Sequence, residues 1–131
     1  MASEKALREK LLPVSEQMKA WASALASELG EWPQVRQKSF FGFTALYRGK
    51  ILFGLLPRTR SIFQPSMVAF RINSPTARVR SALENDPRIS AFDKAKRRWF
   101  AFEVTSNSDL HDALTYLGQA FEAARTPKKT R

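Results

Sequence analysis

Arg58 and Arg60 flank Thr59, and Lys94, Lys96, Arg97 and Arg98 crowd together just ahead of the aromatic run Trp99-Phe100-Ala101-Phe102. Cations on loops beside Phe63 or Trp99 suit a nucleic acid, because the charges track phosphates while a ring stacks on a base. These six residues are the candidate nucleic-acid contacts. The same spacing also reads as ordinary solvated loops, and Arg78 and Arg80, two apart on a helix, diverge and form no patch alone. His111 is the only histidine. A lone His builds no multi-histidine metal site, and a general base needs a positioned partner, so its place beside Leu110 and Asp112 reads as helix surface. Glu103 interrupts an aromatic strand; buried, it would need Arg71 or Arg98 as a partner, whereas the outer face of a sheet needs neither.

The other carboxylates suggest no reaction. Asp86, Asp93, Asp109 and Asp112 fall at loop, turn or capping positions that account for them. No G-x-S-x-G, phosphate-cradling glycine loop, dinucleotide fingerprint or H-E-x-x-H occurs in the sequence. The expectation is a protein without catalytic residues, metal site or cofactor.

The elements that must position these residues come from a chain of 131 residues, enough for one domain with a core of its own. Ten Phe and three Trp give that core bulk, and the absence of Cys removes disulfides, thiol catalysis and cysteine-built metal sites. No apolar run approaches the ~20 residues of a membrane-spanning helix, and Met1 to Lys10 mixes Glu and Lys without an apolar core. A cytoplasmic protein with no membrane partner is expected. The formal charge is +10. Arg125, Lys128, Lys129 and Arg131 supply four of those charges from a terminal tail, and without them about +6 remains, a value that serves solubility as readily as binding.

Residues 1–13 read as a charged extension ending at Pro13. Val14, Met18, Trp21, Leu25 and Leu29 then recur at helical spacing, with Gly30 as a C-cap and Pro33 blocking continuation. Val35 to Tyr47 and Lys50 to Leu56 read as the arms of one β-hairpin about Arg48-Gly49-Lys50, with Gly42 a bulge or bend in the first arm. On the second arm Ile51, Phe53 and Leu55 alternate with Leu52 and Leu56, so both faces are apolar. Either helices cover both, or one face meets a partner, a second copy being the simplest. Ser66 to Ile72 alternates, with Val68, Phe70 and Ile72 on one face. Ser74-Pro75 starts a helix in which Val79, Ala82 and Leu83 are buried. A basic loop, Arg88 to Arg97, precedes a strand from Arg98 to Thr105 with Phe100, Phe102 and Val104 on one face. Ser106 or Ser108 caps a last helix with the stripe Leu110, Leu114, Leu117 and Phe121. The order α-β-β-β-α-β-α predicts an α+β domain over 14–124 with a mainly antiparallel sheet, followed by a basic tail, 125–131.

The pattern Val35-x-x-x-x-Phe40-Phe41-Gly42-Phe43, then Leu46-Tyr47-Arg48-Gly49-Lys50-Ile51-Leu52-Phe53-Gly54-Leu55, resembles the N-terminal domain of TfoX-like proteins. The strand Trp99 to Val104 and the final helix are similar to the same group and its relatives, the YjbR (MmcQ) proteins and the small luciferase-domain proteins. The resemblance spans roughly residues 14 to 124 in element order. It implies a compact α+β domain of the YjbR-like type and carries over no functional residues, because no catalytic motif defines the group. TfoX proteins are associated with competence regulation and YjbR-like proteins have been suspected of binding DNA. The usual Met-Phe-Gly-Gly is here Phe40-Phe41-Gly42-Phe43, and no TfoX C-terminal domain fits in this chain.

A non-catalytic, self-associating interaction module is therefore the expected function. The alternatives are a nucleic-acid binder using the basic loops, and a small-ligand protein with an apolar pocket between the first helix and the hairpin.

Overall fold

Ser15, whose hydroxyl accepts from the amide of Met18, starts the first helix in the computed structural model, which describes residues 14–59, 66–72, 76–91 and 98–124. Helix α1 spans Glu16–Gly30 and buries Met18, Ala22, Leu25 and Leu29, the stripe its periodicity predicts. Gly30 is its last residue rather than a left-handed cap. The chain leaves through Glu31 in right-handed backbone, and Gln34 (φ 72) makes the left-handed turn into the sheet.

The expected hairpin is two hairpins. Strand β1 (Val35–Phe40) turns at Phe41-Gly42 into β2 (Phe43–Arg48), which turns at Gly49-Lys50 into β3 (Ile51–Pro57). Positive φ at both Phe41 (51) and Gly42 (88), with Phe40 opposite Phe43, is the pattern of a type I′ loop, whose twist matches paired strands. A glycine inside an apolar run thus reverses the chain here instead of bending it. Gly49 (φ 61) takes the first position of the second loop, as in a II′ turn.

Strand β4 (Met67–Arg71) follows, then α2 (Ala77–Asn85), β5 (Ile89–Ala91), β6 (Trp99–Glu103) and α3 (Asn107–Ala123). The fold is α+β, and all pairings in the six-stranded sheet, ordered β1-β2-β3-β4-β6-β5, are antiparallel. Thr76 caps α2 by accepting from the amide of Val79; the predicted start, Ser74-Pro75, lies outside the described residues. Within α2, Leu83 is buried but Ala82 is exposed, because a helix this short turns one narrow stripe inward. The first part of the expected basic loop is strand: Ile89–Ala91 pairs with β6 at the sheet edge. Ser106 caps α3 by accepting from the amide of Asp109.

The three helices of the described residues join the sheet in one core. Leu46, Phe53, Val68, Phe70, Phe100 and Phe102 meet Met18, Leu25, Leu29, Leu83 and Leu117 there. Burying each Phe contributes about 2–3 kcal/mol. The face assignment in β3 differs from simple alternation. Leu46 pairs with Gly54 and Tyr47 with Leu52, so Phe53 is an extra residue and the strand bulges. Ile51, Phe53 and Leu56 consequently share the helix side, while Leu55 joins the opposite face.

That opposite, outer face carries a small cluster, Met67, Ala69 and Ala101, with Phe43, Leu55 and Trp99 packed against it. No helix of the described residues is long and apolar enough to cross a membrane.

Candidate functional site

Of the six basic candidates, Arg58 and Arg98 lie among the described residues. Arg58 follows β3, its guanidinium bonded to the hydroxyl of Ser39. Arg98 precedes β6 and its carbonyl accepts from Ile72. Since β3 and β6 both run antiparallel to β4, Arg58 stands at the Glu103 end of the sheet and Arg98 at the Trp99 end. Arg60, Lys94, Lys96 and Arg97 lie outside the described residues, as do Asp93 and Phe63.

The densest polar assembly is one that sequence reasoning passed over. Arg88 donates to both oxygens of Asp86 (2.9 and 2.8 Å), to Asp112 (3.1 Å) and to Asp109, with its guanidinium 4.6 Å from the ring centre of Phe102. Asp109 also accepts from the amide and hydroxyl of Thr105, and Asp86 accepts from Tyr116. Hydrogen bonds from the Arg88 side chain hold the Asp86 carboxyl down at about 2. Asp109 is lowered chiefly by the Thr105 amide. Burial, with the bond to Asp86, pushes the Tyr116 phenol up to about 12. The shifts of Asp86, Asp109 and Tyr116 all lead away from the near-neutral acidity that general acid–base work needs. The network staples the end of α2 to α3. Its signal was three Asp residues, one ending α2 and two on α3, which only the fold brings around one arginine.

His111 is exposed on α3, and Glu103 lies on the outer sheet face across from Met67. Among the described residues, no group of three or more His, Cys, Asp and Glu is placed to hold a metal. A half-open cleft of about 320 Å³ lies between α1 and the β2–β3 arms. Its surface is mostly apolar, from Ala22, Ala26 and Pro57 and the stems of Lys19 and Arg58, with Ser23 and Thr44 adding hydroxyls.

The outer face of the sheet holds the remaining unabsorbed chemistry. Gln37 turns to the helices, donating to the carbonyl of Ala26 (2.7 Å), so Arg36 and Lys38 point the other way. Arg36 pairs with Tyr47, and the Lys38 ammonium stands 5.8 Å from the Tyr47 ring centre. Phe40 pairs with Phe43 on the same face, and Arg71 pairs with Trp99 farther across. Glu103 is the one carboxylate on this face among the described strand residues. At the β1–β2 tip, Phe40 (40% exposed) and Phe41 (78% exposed) are, among the described residues, the large apolar side chains most open to solvent, their rings edge to face at 4.8 Å. Cations alternating with rings on a pleated surface can hold an anionic partner by charge and a planar one by stacking.

No family model, curated protein or solved structure matches this chain.

Proposed function

We propose that the protein is a non-catalytic binding module that takes an anionic polymer on the outer face of its sheet. The observation that carries this reading is the placement of Arg36, Lys38 and Arg71 among Tyr47, Phe43 and Trp99 on the face opposite the helices. The Arg88 network, by contrast, sets its one cation among three carboxylates and so repels an anionic polymer. The test is retention on immobilised heparin. Arg36→Glu with Lys38→Glu should elute at markedly lower salt than Lys128→Glu with Lys129→Glu, which removes the same charge from the tail. Equal losses from the two pairs would reduce the effect to net charge and end the reading.

A second copy of the chain is the other occupant, and the exposed rings of Phe40 and Phe41 are the apolar surface it would cover. Sedimentation across a concentration series separates this reading from the first. Kinship with the TfoX N-terminal and YjbR-like domains is likewise our proposal, carried by Phe40-Phe41-Gly42-Phe43 and Arg48-Gly49-Lys50, and the cytoplasm is the setting we propose for a chain without Cys.

A further inference from the structure

Resting on that reading, we propose that the partner is single-stranded nucleic acid, with bases stacked on Tyr47, Phe40 and Phe41 and phosphates held by Arg36, Lys38 and Arg71.

Phe41 carries the inference furthest. Its φ of 51 lies in the left-handed region, where a bulky side chain is strained and where a type I′ loop favours Asn before Gly. Its ring is 78% exposed, so the fold recovers little of that strain by burying it. A strained residue that contributes little to packing points to use of the ring itself. Phe40 beside it extends the aromatic surface, and Arg58 and Thr59 pin the loop by donating to the carbonyl of Gly42 (3.1 and 2.9 Å).

The charges fit the same ligand. Arg36 and Lys38 are two residues apart on one face of β1, about 7 Å by strand geometry, comparable to successive phosphates of an extended single strand. Neither has a carboxylate partner among the described residues. Tyr47 lies next to both, so ring and cation alternate from the hairpin inward. Met67, Ala69 and Ala101 farther across this face are buried, so the track follows the exposed strand β1 and the β1–β2 tip, room for a few nucleotides. A duplex conceals its base faces and is read by an element that enters a groove, whereas a hairpin edge with exposed rings selects unpaired bases. A second copy of the chain fits this strip poorly, since pairing β1 with β1 would bring Arg36 and Lys38 against their like.

Fluorescence anisotropy with a labelled oligothymidylate, an abasic backbone of the same length and the matching duplex tests the proposal on wild type and Phe41→Asn. Asn suits the loop, so the variant should melt at the wild-type temperature or a few degrees higher. The expected result is oligothymidylate binding about tenfold tighter than the abasic strand, with Phe41→Asn removing most of that difference and leaving abasic binding unchanged. Equal binding of the two strands, tighter binding of the duplex, or indifference to Phe41→Asn overturns the single-strand proposal while leaving a charge-driven binding face in place. No binding to any of the three, with heparin retention also lost equally from face and tail variants, removes both.

Discussion

The hydroxyl of Tyr116 donates to Oδ2 of Asp86 at 2.8 Å, joining the middle of α3 to the residue that ends α2. The two partners limit this bond from opposite ends of the pH scale. Asp86 lies at about 2 in the fold against its ordinary 3.8, so its contribution is complete above about pH 4 and is lost as the pH falls towards 2. Tyr116 is raised from 10.0 to about 12, so its contribution is complete below pH 10 and is lost as the pH rises towards 12. Denaturant unfolding of wild type and Asp86→Asn from pH 2 to 7 should show a gap of about 1–2 kcal/mol that closes on the acid side. With two tyrosines in the chain, absorbance titration should show one phenol ionising near 12, and Tyr116→Phe should remove that late step.

Gly54 leaves room for α3. A Cβ there would stand 2.9 Å from Cδ2 of Leu117 and 3.0 Å from Cδ1 of Leu46, both in fully buried side chains. Neither neighbour has open space to retreat into, so Gly54→Ala should lower stability by about 1–3 kcal/mol. The shift of the denaturant midpoint at constant slope measures it.

Arg48 closes the far end of the same helix. It donates to the carbonyl of Phe121 (2.9 Å) and to Gln34 (2.9 Å), and its guanidinium lies 4.2 Å from the centre of the Phe121 ring. A cation at a helix C-terminus satisfies a carbonyl left without an intrahelical partner and opposes the negative end of the dipole. Arg48→Met keeps the aliphatic stem, so it should cost about 1–2 kcal/mol, and amide exchange should rise in the last turn of α3 more than in α1.

Periodicity made much of this architecture legible. The α1 stripe and the faces of β4 and β6 follow from spacing alone, while the α3 cap was narrowed to Ser106 or Ser108 and the structure selects Ser106. What escaped was set by single backbone events. The Phe41-Gly42 reversal was hidden because a bulky residue occupies a left-handed position where Asn or Gly is expected. The bulge at Phe53 inverted the predicted face of Leu55, since one inserted residue changes the parity of a strand. The charged surface was hard to read for a different reason. Arg36 and Lys38 look like ordinary edge-strand charges in sequence, and the Tyr47 ring beside them is supplied by another strand. Arg58 and Arg98, grouped by composition, are held at opposite ends of the sheet by its topology.

A residue-resolved NMR titration with oligothymidylate tests the binding face most directly. Amide shifts should concentrate at Arg36, Lys38, Phe40, Phe41 and Tyr47, with α1 and the Arg88 network undisturbed. Shifts centred on the helices, or on the cleft between Lys19 and Arg58, with the β1–β2 hairpin unchanged would contradict the account.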